Sequence, residues 1–350
     1  MRIKMAGGPV HRVSVIIPNY NHARYLPQRI GSVLQQTFTD IEVIILDDCS
    51  PDESRSVIQH YAALDERIRV VYNEKNSGST FKQWNKGFAL AQGEYIWVAE
   101  SDDYAERDLL EKLVQQLDKD PEVGLAYCDS TTVDEDNNTI NVLDDFYLDL
   151  DAELWTNDFV RDGRSLIINF MSYRNIIPNA SAVVIRKNML DKVGKADESY
   201  KLNGDWVFWA SIIADVKVAF VAEKLNYFRF HLNNVRSKTL ANGLALSELT
   251  RVVRVMQQYG KPNQIFIDKM IDKMTDMWFD GIVKNAIPVK TSLKILLNIR
   301  SVKNGFNAHL LKYIKKHMLD HNYNGLKHFL VTGTFYKKIQ PVYRSIKKKS

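Results

Sequence analysis

Three carboxylates lie within four consecutive residues of this chain: Glu100, Asp102 and Asp103, with Ser101 between the first two. They follow residues 95–99, an apolar run typical of a buried strand. Carboxylates this close repel one another unless they are solvated, protonated or bound to a cation. Their oxygens suit Mg²⁺ or Mn²⁺, which commonly link protein carboxylates to substrate phosphates. The cluster therefore predicts a divalent-metal site or, since a helix is predicted at residues 106–118, an acidic helix N-terminus.

Three further polar segments occupy the same kind of position, directly after an apolar run. They are residues 18–21, 47–50 and 76–79, which follow predicted strands at 13–17, 41–46 and 68–72. In an open parallel sheet, ligands bind beyond the carboxyl ends of the strands. We therefore expect these three segments and residues 100–103 to lie at one edge of a sheet and to form one site.

The elements that must position this site alternate between strand and helix periodicity. Helices are predicted at 23–36, 81–91 and 106–118, and Ser50, Pro51 and Glu53 predict a further helix start with a capping box. This alternation predicts an α/β fold with a mostly parallel sheet covered by helices on both faces. Strands at 123–128, 181–185 and 216–221 and a helix at 205–214 extend it. From residue 240 onward the spacing is helical, which predicts domains of 1–239 and 240–350.

Charge divides the chain at the same place. The net charge is +5, but residues 1–239 carry −9 and residues 240–350 carry +14. Cys49 and Cys128 are too few for a disulfide scaffold, and no stretch is apolar enough for a signal peptide or a membrane span. Neither GxGxxG nor a Walker motif is present, which disfavours a dinucleotide dehydrogenase and a P-loop ATPase. These features predict a cytoplasmic enzyme.

Four ordered motifs carry a resemblance to a known family. Val-Ser-Val-Ile-Ile-Pro-Asn-Tyr-Asn at 13–21, Leu-Asp-Asp-Cys-Ser-Pro-Asp at 46–52, Asn-Ser-Gly-Ser at 76–79 and Gly-Glu-Tyr-Ile-Trp-Val-Ala-Glu-Ser-Asp-Asp at 93–103 resemble family-2 glycosyltransferases of the GT-A fold. The resemblance covers roughly residues 12–236. It implies transfer of a sugar from a nucleotide-sugar, with a UDP-sugar expected, to an acceptor hydroxyl with inversion at the anomeric carbon. Its usual setting is bacterial surface-polysaccharide synthesis.

The resemblance also assigns residues to the donor, although this chain departs from the family in one place. Asp48 would read the base, and Glu100 stands where the family's DXD motif has Asp. Asp102 would therefore be the main ligand of Mn²⁺ or Mg²⁺, with Glu100 held more loosely and His231 as a further metal candidate. The other positions implied for the nucleotide and diphosphate are Pro18, Asn19, Tyr20, Gly78, Lys82, Asn85, Ser101, Asp103, Arg229 and Arg236.

The acceptor hydroxyl needs a base, and Asp205 matches the family's catalytic carboxylate at a helix start. A positioned carboxylate can take the proton of a weak nucleophile as it attacks; the alternative is that Asp205 only begins a helix. Asn179 and Ser181 resemble the acceptor-facing loop, or else a plain strand entry. Trp206 is either a platform for a sugar ring or a core residue.

Two regions keep more than one interpretation. Residues 134–153 are rich in acids and predict either a solvated loop or a lid over the site. The basic residues of 301–350 predict a solvated tail or attachment to an anionic membrane surface, which would place the enzyme peripherally on the inner face of the plasma membrane. Nucleic-acid binding is disfavoured because no nucleic-acid-binding motif accompanies the basic charge.

The acceptor that we expect for the sugar is a glycan or a lipid-linked sugar.

Two other functions compete with glycosyl transfer. A nucleotidyltransferase would share the α/β domain and an acidic metal site, but residues 18–21 are not the glycine-rich basic loop that it would carry after its first strand. A catalytically degenerate family member that acts as a scaffold is conceivable because of Glu100. The presence of Asp48, Asp102 and Asp205 together argues against it.

Overall fold

The structure, a computed structural model, describes residues 11–143, 145–231, 243–283 and 287–320. These residues form two compact units. The first comprises the described chain up to Ile167 with the segment from Asn175 to His231. The second comprises Ile168–Arg174 and the described residues from Gly243 onward. The predicted boundary between residues 239 and 240 lies outside the described residues, so the domain limits stay a prediction.

Four parallel strands make the first half of the sheet, in the order β3–β2–β1–β4. Val13 of β1 lies opposite Ile41 of β2 and Tyr95 of β4, so the three strands run in register. Every residue of β1 and β2 is buried, as the near-continuous apolar runs predict. The strands are β1 (Val13–Asn19), β2 (Ile41–Asp47), β3 (Ile68–Tyr72) and β4 (Tyr95–Val98).

Helices cover both faces of this half of the sheet. Alternate β1 residues, including Val15, share one buried cluster with residues of α1, α2 and α4. On the opposite face α3 packs so closely that a Cβ on Gly87 would lie 2.4 Å from Ile16. The predicted two-sided covering is therefore confirmed. The helices are α1 (Leu26–Leu34), α2 (Ser54–Leu64), α3 (Thr80–Leu90) and α4 (Leu109–Lys119).

The second half of the sheet reverses direction at β8, which is antiparallel to both of its neighbours, β4 and β6. The order continues β4–β8–β6–β9–β5, and β7 pairs with β9. Helices α5 (Gly163–Leu166), α6 (Asn188–Val193) and α7 (Gly204–Ile213) lie between these strands in sequence. The strands are β5 (Tyr104–Ala105), β6 (Val123–Val133), β7 (Phe159–Asp162), β8 (Val183–Arg186) and β9 (Lys217–Arg229).

The predicted α/β class is confirmed, since the longer ladders, β1–β2 and β6–β9, are parallel. The sequence did not predict β5 and β7, which are antiparallel edge segments of two and four residues. Strands β6 and β9 also continue past their predicted ends to Val133 and Arg229. Their ladder has register shifts, and Glu223 and Lys224 interrupt the apolar pattern of β9.

The predicted capping box before α2 is wrong. The helix begins at Ser54, and Ser50 does not cap it. Instead Ser50 Oγ donates to Asp47 Oδ1 at 2.6 Å and accepts the backbone N–H of Asn21 at 2.9 Å. The hydroxyl therefore joins the ends of β1 and β2: it donates a charge-assisted hydrogen bond to the buried Asp47 carboxylate, and its oxygen accepts from Asn21 instead of from the N–H groups at the start of α2.

The second unit is helical, as predicted. Its helices are α8 (Leu244–Met256), α9 (Gln264–Val283), α10 (Val289–Val302) and α11 (Phe306–Asp320). Segment Ile168–Arg174 packs on α9, where Phe170 and Tyr173 both contact Phe266. Across the described residues, none of the helices combines the length and the apolar character needed to span a membrane. The basic residues of 337–350 lie outside the described residues.

Candidate functional site

Asp48 is the centre of a buried hydrogen-bond network at the end of β2. Its carboxylate accepts Asn73 Nδ2 at 2.5 Å, Gln83 Nε2 at 2.9 Å, and both the backbone N–H and the hydroxyl of Ser77. A carboxylate offers about four lone-pair sites, so these donors use its capacity. Asp48 thereby ties the end of β2 to the segment before α3. Its role in reading the base stays a prediction.

The segment after β1 turns sharply above the end of the sheet. Asn19 is buried and donates to Asp47 Oδ1 at 2.8 Å, while Asn21 has a positive φ of 62°. Between them Tyr20 is 46% exposed. Pro18 is a buried β1 residue that lies opposite Leu46. An exposed ring at a strand end is free to stack on a base, as the sequence predicts for Tyr20.

Three residues at or near the start of α3, predicted to bind the nucleotide-sugar, lie in different environments. Gly78 has a φ of 67°, which favours glycine, and Lys82 is exposed with Nζ 3.3 Å from the Ser77 carbonyl. Asn85 is buried, and its amide bonds Ala196 and Glu198. Gly78 and Lys82 are therefore accessible to a phosphate, whereas Asn85 joins α3 to the segment before α7.

Glu100 is partly buried and is held by hydrogen bonds to the protein. Its Oε1 accepts Trp84 Nε1 at 2.7 Å, its backbone N–H donates to Ser181 Oγ, and its carbonyl accepts Arg29 Nε. Burial and the neighbouring charge of Asp102 raise the pKa of Glu100 to about 8. The longer Glu side chain thus reaches α3, and direct metal binding by Glu100 stays a prediction.

Asp103 is a buried acceptor in the interior of the cluster. Its Oδ2 accepts Asn179 Nδ2 at 2.9 Å and Ser181 Oγ at 2.7 Å, and its Oδ1 accepts the backbone N–H of Arg229 at 2.9 Å. Burial and the charge of Asp102 raise the pKa of Asp103 to about 6. The side chains of Asn179 and Ser181 therefore donate to Asp103, and their predicted role at the acceptor side stays a prediction.

Asp102 is the member of the cluster that faces two histidines. His231 Nε2 lies 2.9 Å from Asp102 Oδ2, and the ring of His22 stacks on that of His231 with centroids 5.8 Å apart. Burial acts to raise the pKa of Asp102, but the hydrogen bond and charge of His231 and the charge of His22 hold it below its usual value. The bond to Asp102 in turn raises the pKa of His231.

These three side chains fit a metal ion. One ligand atom from each of His22, Asp102 and His231 lies within 4.8 Å of the others. Imidazole nitrogen and carboxylate oxygen are ligands for divalent transition metals. His22 Nδ1 is also 2.8 Å from Ser101 Oγ, which fixes the ring. Ser101 is 2% exposed, so its contact with His22 places it behind the site, and its predicted donor contact stays a prediction.

Arg229 holds the acidic loop against this site. Its Nε donates to the Asp102 carbonyl at 2.7 Å, and its terminal nitrogens donate to the Asp134 carbonyl, Asn137 Oδ1 and Gln28 Oε1. The side chain is buried, so its role at the diphosphate stays a prediction. The turn at 134–137 therefore lies beside the metal candidates. Arg236 lies outside the described residues.

Asp205 is in the first turn of α7 and is partly buried. Its Oδ2 accepts Asn175 Nδ2 at 3.1 Å. Helix α7 packs on α3, because Phe208 and Trp209 contact the ring of Trp84, which also binds Glu100. Trp84 thus contacts both the helix that carries Asp205 and the acidic cluster. Trp206 is 6% exposed, which favours packing, and its role as a sugar platform stays a prediction.

Three residues of this site were not identified from the sequence. His22 directly follows the polar segment after β1, a position that could have indicated it. Trp84 looks like any core aromatic of an amphipathic helix. Arg29 is fully buried beneath the cluster, where burial lowers its pKa to about 10, and it lies over the ring of Trp97. A charged residue on the buried face of a helix has no signal in apolar periodicity.

Comparison with known proteins identifies the family. The model of Glycosyl transferase family 2 matches residues 14–187. The uncharacterized glycosyltransferase alr2836 of Nostoc sp. (strain PCC 7120) is 30% identical over 257 residues, 71% of this chain and 74% of that protein. The putative teichuronic acid biosynthesis glycosyltransferase TuaG of Bacillus subtilis (strain 168) is 46% identical over 103 residues. That match covers 29% of this chain, which spans about two fifths (40%) of the length of TuaG.

A solved structure supports the same fold. S. aureus TarS residues 1–349, in complex with UDP-GlcNAc, matches with a TM-score of 0.64 over 93% of this chain and 92% of that one, at 16% identity. An identity this low shows the fold alone. The predicted GT-A fold with a helical C-terminal region is confirmed. From the family model and the extent of the match to alr2836, the chain belongs to glycosyl transferase family 2.

Proposed function

We propose that this protein is an inverting, metal-dependent glycosyltransferase. Its donor is a nucleotide-sugar, with a UDP-sugar expected, and its acceptor is the hydroxyl of a glycan or a lipid-linked sugar. The observation that carries the proposal is the meeting of Asp102, His22 and His231 at the carboxyl edge of the sheet, where ligands bind in such folds. Family membership and the nucleotide-sugar bound to the TarS neighbour support the choice of donor.

The residues divide the reaction between donor and acceptor. Asp102, with His231 as a further candidate, would hold a divalent metal ion, and that ion would supply positive charge to the departing diphosphate. Lys82 adds a cation at the accessible start of α3. Asp205, oriented by Asn175, accepts the proton of the acceptor hydroxyl while that oxygen bonds to the anomeric carbon. The bond from that carbon to the diphosphate oxygen breaks on the opposite face, which inverts the configuration.

The test compares two helix-start aspartates. Asp205→Asn removes the base, and Asp191→Asn makes the same change at an exposed first-turn position of α6. With a series of UDP-sugars, Mn²⁺ and sugar acceptors, we expect Asp205→Asn to lose about 10²-fold or more of the transfer rate, while Asp191→Asn stays near wild type. Binding of UDP, followed by calorimetry, should be nearly equal in all three proteins. Full transfer by Asp205→Asn would disprove the assignment of the base.

We also propose that the second unit docks on an anionic membrane surface. Leu293 and Leu297 are 57% and 61% exposed and lie one turn apart on α10, where Lys290 and Lys294 are exposed as well. Exposed apolar residues beside cations are typical of interfacial helices. Replacing both leucines with Ser should weaken sedimentation with phosphatidylserine vesicles, because the apolar contact with the bilayer is lost. Equal sedimentation of variant and wild type with anionic vesicles would contradict the proposal.

A further inference from the structure

Two carboxylates of the acidic motif, those of Glu100 and Asp103, accept hydrogen bonds from the protein. Glu100 Oε1 is occupied by Trp84 Nε1 at 2.7 Å, and Asp103 is held in the interior by Asn179, Ser181 and the backbone of Arg229. Asp102 remains, and one carboxylate holds a divalent ion weakly. Other ligands must therefore come from elements outside the motif.

The segment after β1 supplies such a ligand. Resting on the function proposed above, we propose that His22 is a direct ligand of the metal ion, together with Asp102 and His231, and that Glu100 is not a ligand. Each of the three side chains offers an atom within 4.8 Å of the other two. They come from three places in the chain: the loop after β1, the end of β4 and the end of β9. Folding of the first unit is what brings them together.

The hydrogen bond of His22 prepares it for this role. Its Nδ1 lies 2.8 Å from Ser101 Oγ, and Ser101 is 2% exposed. A neutral imidazole that donates from Nδ1 carries its lone pair on Nε2, which is then the ligand atom. Metal-binding histidines are commonly fixed in this way through their second nitrogen. The rings of His22 and His231 are neighbours, with centroids 5.8 Å apart, and each offers an atom within 4.8 Å of the other and of Asp102.

The ligand set also determines which metal is preferred. Mg²⁺ favours oxygen ligands in octahedral geometry, whereas imidazole nitrogens favour first-row transition metals, for which affinity rises from Mn²⁺ to Co²⁺. Three protein ligands leave positions open for diphosphate oxygens. We therefore expect the full-length protein without nucleotide to bind Mn²⁺ and Co²⁺ more tightly than Mg²⁺.

The experiment measures Mn²⁺ binding to the full-length protein by electron paramagnetic resonance, without donor or acceptor. His22→Ala should weaken binding by more than about 10-fold, since loss of even an orienting partner weakens metal sites 10- to 100-fold. His60→Ala, an exposed histidine on α2, is the matched control and should bind as wild type. Glu100→Gln keeps an oxygen acceptor for Trp84 and should lose less affinity than His22→Ala.

Each outcome decides the proposal. Unchanged Mn²⁺ affinity in His22→Ala, or an equal loss in Glu100→Gln, would overturn it. Pulsed resonance on Mn²⁺-loaded wild type gives a reading that needs no variant: ¹⁴N coupling from two imidazoles supports the proposal, and coupling from one or none overturns it. These measurements do not depend on catalysis. Metal binding through His22 without sugar transfer would leave this site standing and contradict the proposed function instead.

Discussion

Asn85 offers a test of whether α3 contributes a donor contact or a structural clamp at this position. The family resemblance places Asn85 at the ribose and diphosphate. In the structure its Nδ2 donates to the Ala196 carbonyl and to Glu198 Oε1, both at 2.9 Å, and its Oδ1 accepts the Ala196 N–H at 2.8 Å. The side chain is 6% exposed. These bonds connect α3 to the segment that leads into α7.

The magnitude follows from the groups that Asn85→Ala would leave behind. Both backbone groups of Ala196 would lose their side-chain partner, and an unsatisfied buried polar group costs about 1–3 kcal/mol. The expected loss in the free energy of unfolding is therefore about 2–6 kcal/mol. In a unit of this size each kcal/mol lowers Tm by about 2–4 °C. Asn85→Ala should thus lower Tm by about 10 °C.

The assay is urea and thermal unfolding of the full-length protein, with UDP affinity measured well below Tm. Lys82→Ala is the control, because Lys82 is exposed on the same helix. It should unfold like wild type and bind UDP more weakly. If Asn85→Ala instead keeps the free energy of unfolding of wild type and loses affinity for UDP, the clamp is refuted and Asn85 is a donor contact.

Two further predictions concern stability. Gly204→Ala would place a Cβ 2.6 Å from two ring carbons of Phe81, so we expect a loss of about 1–3 kcal/mol in urea unfolding, whereas Gly31→Ala, which has open space, should be neutral or stabilising. The hydrogen bonds from Arg67 hold the pKa of Asp65 below its usual value. A carboxylate with a lowered pKa stabilises the folded protein at pH values above its unfolded pKa, near 3.8. This stabilisation is lost as the pH falls through the folded pKa. The stability difference between wild type and Asp65→Asn should therefore be constant from about pH 5 to 7 and shrink below about pH 4 in urea titrations; a difference that grows in acid would contradict this.

The sheet was predictable because its signal is local. The apolar runs of β1, β2 and β4 are nearly continuous, as expected for strands that are buried on both faces of a sheet. The polar residues at their ends then fall at one edge by topology alone. Edge strands β5 and β7 carry no such signal, since each exists only because β9, more than fifty residues away in the chain, offers an unpaired side.

The interior of the site was less predictable, because its partners are distant in sequence. Arg29 lies on the buried face of α1 with Leu26 and Ile30, and its Nε donates to the carbonyl of Glu100, 71 positions away. Local periodicity places an arginine on the solvent side of such a helix. Ser50 shows the same limit, since a sequence signal for a helix cap was overridden by a buried aspartate nearby.

The acidic cluster also illustrates what a motif conceals. From spacing alone, the carboxylates at 100, 102 and 103 form one acidic cluster, and the family resemblance is what favours Asp102 as the main metal ligand. The structure divides them by their donors: Trp84 holds Glu100, and the backbone N–H of Arg229 with two side chains holds Asp103. Arg29 places a positive charge beneath them and favours ionisation of Glu100 and Asp103. Glu at position 100 is therefore compatible with the proposed function, since its carboxylate bonds Trp84 of α3 and Asp102 is left to face the two histidines.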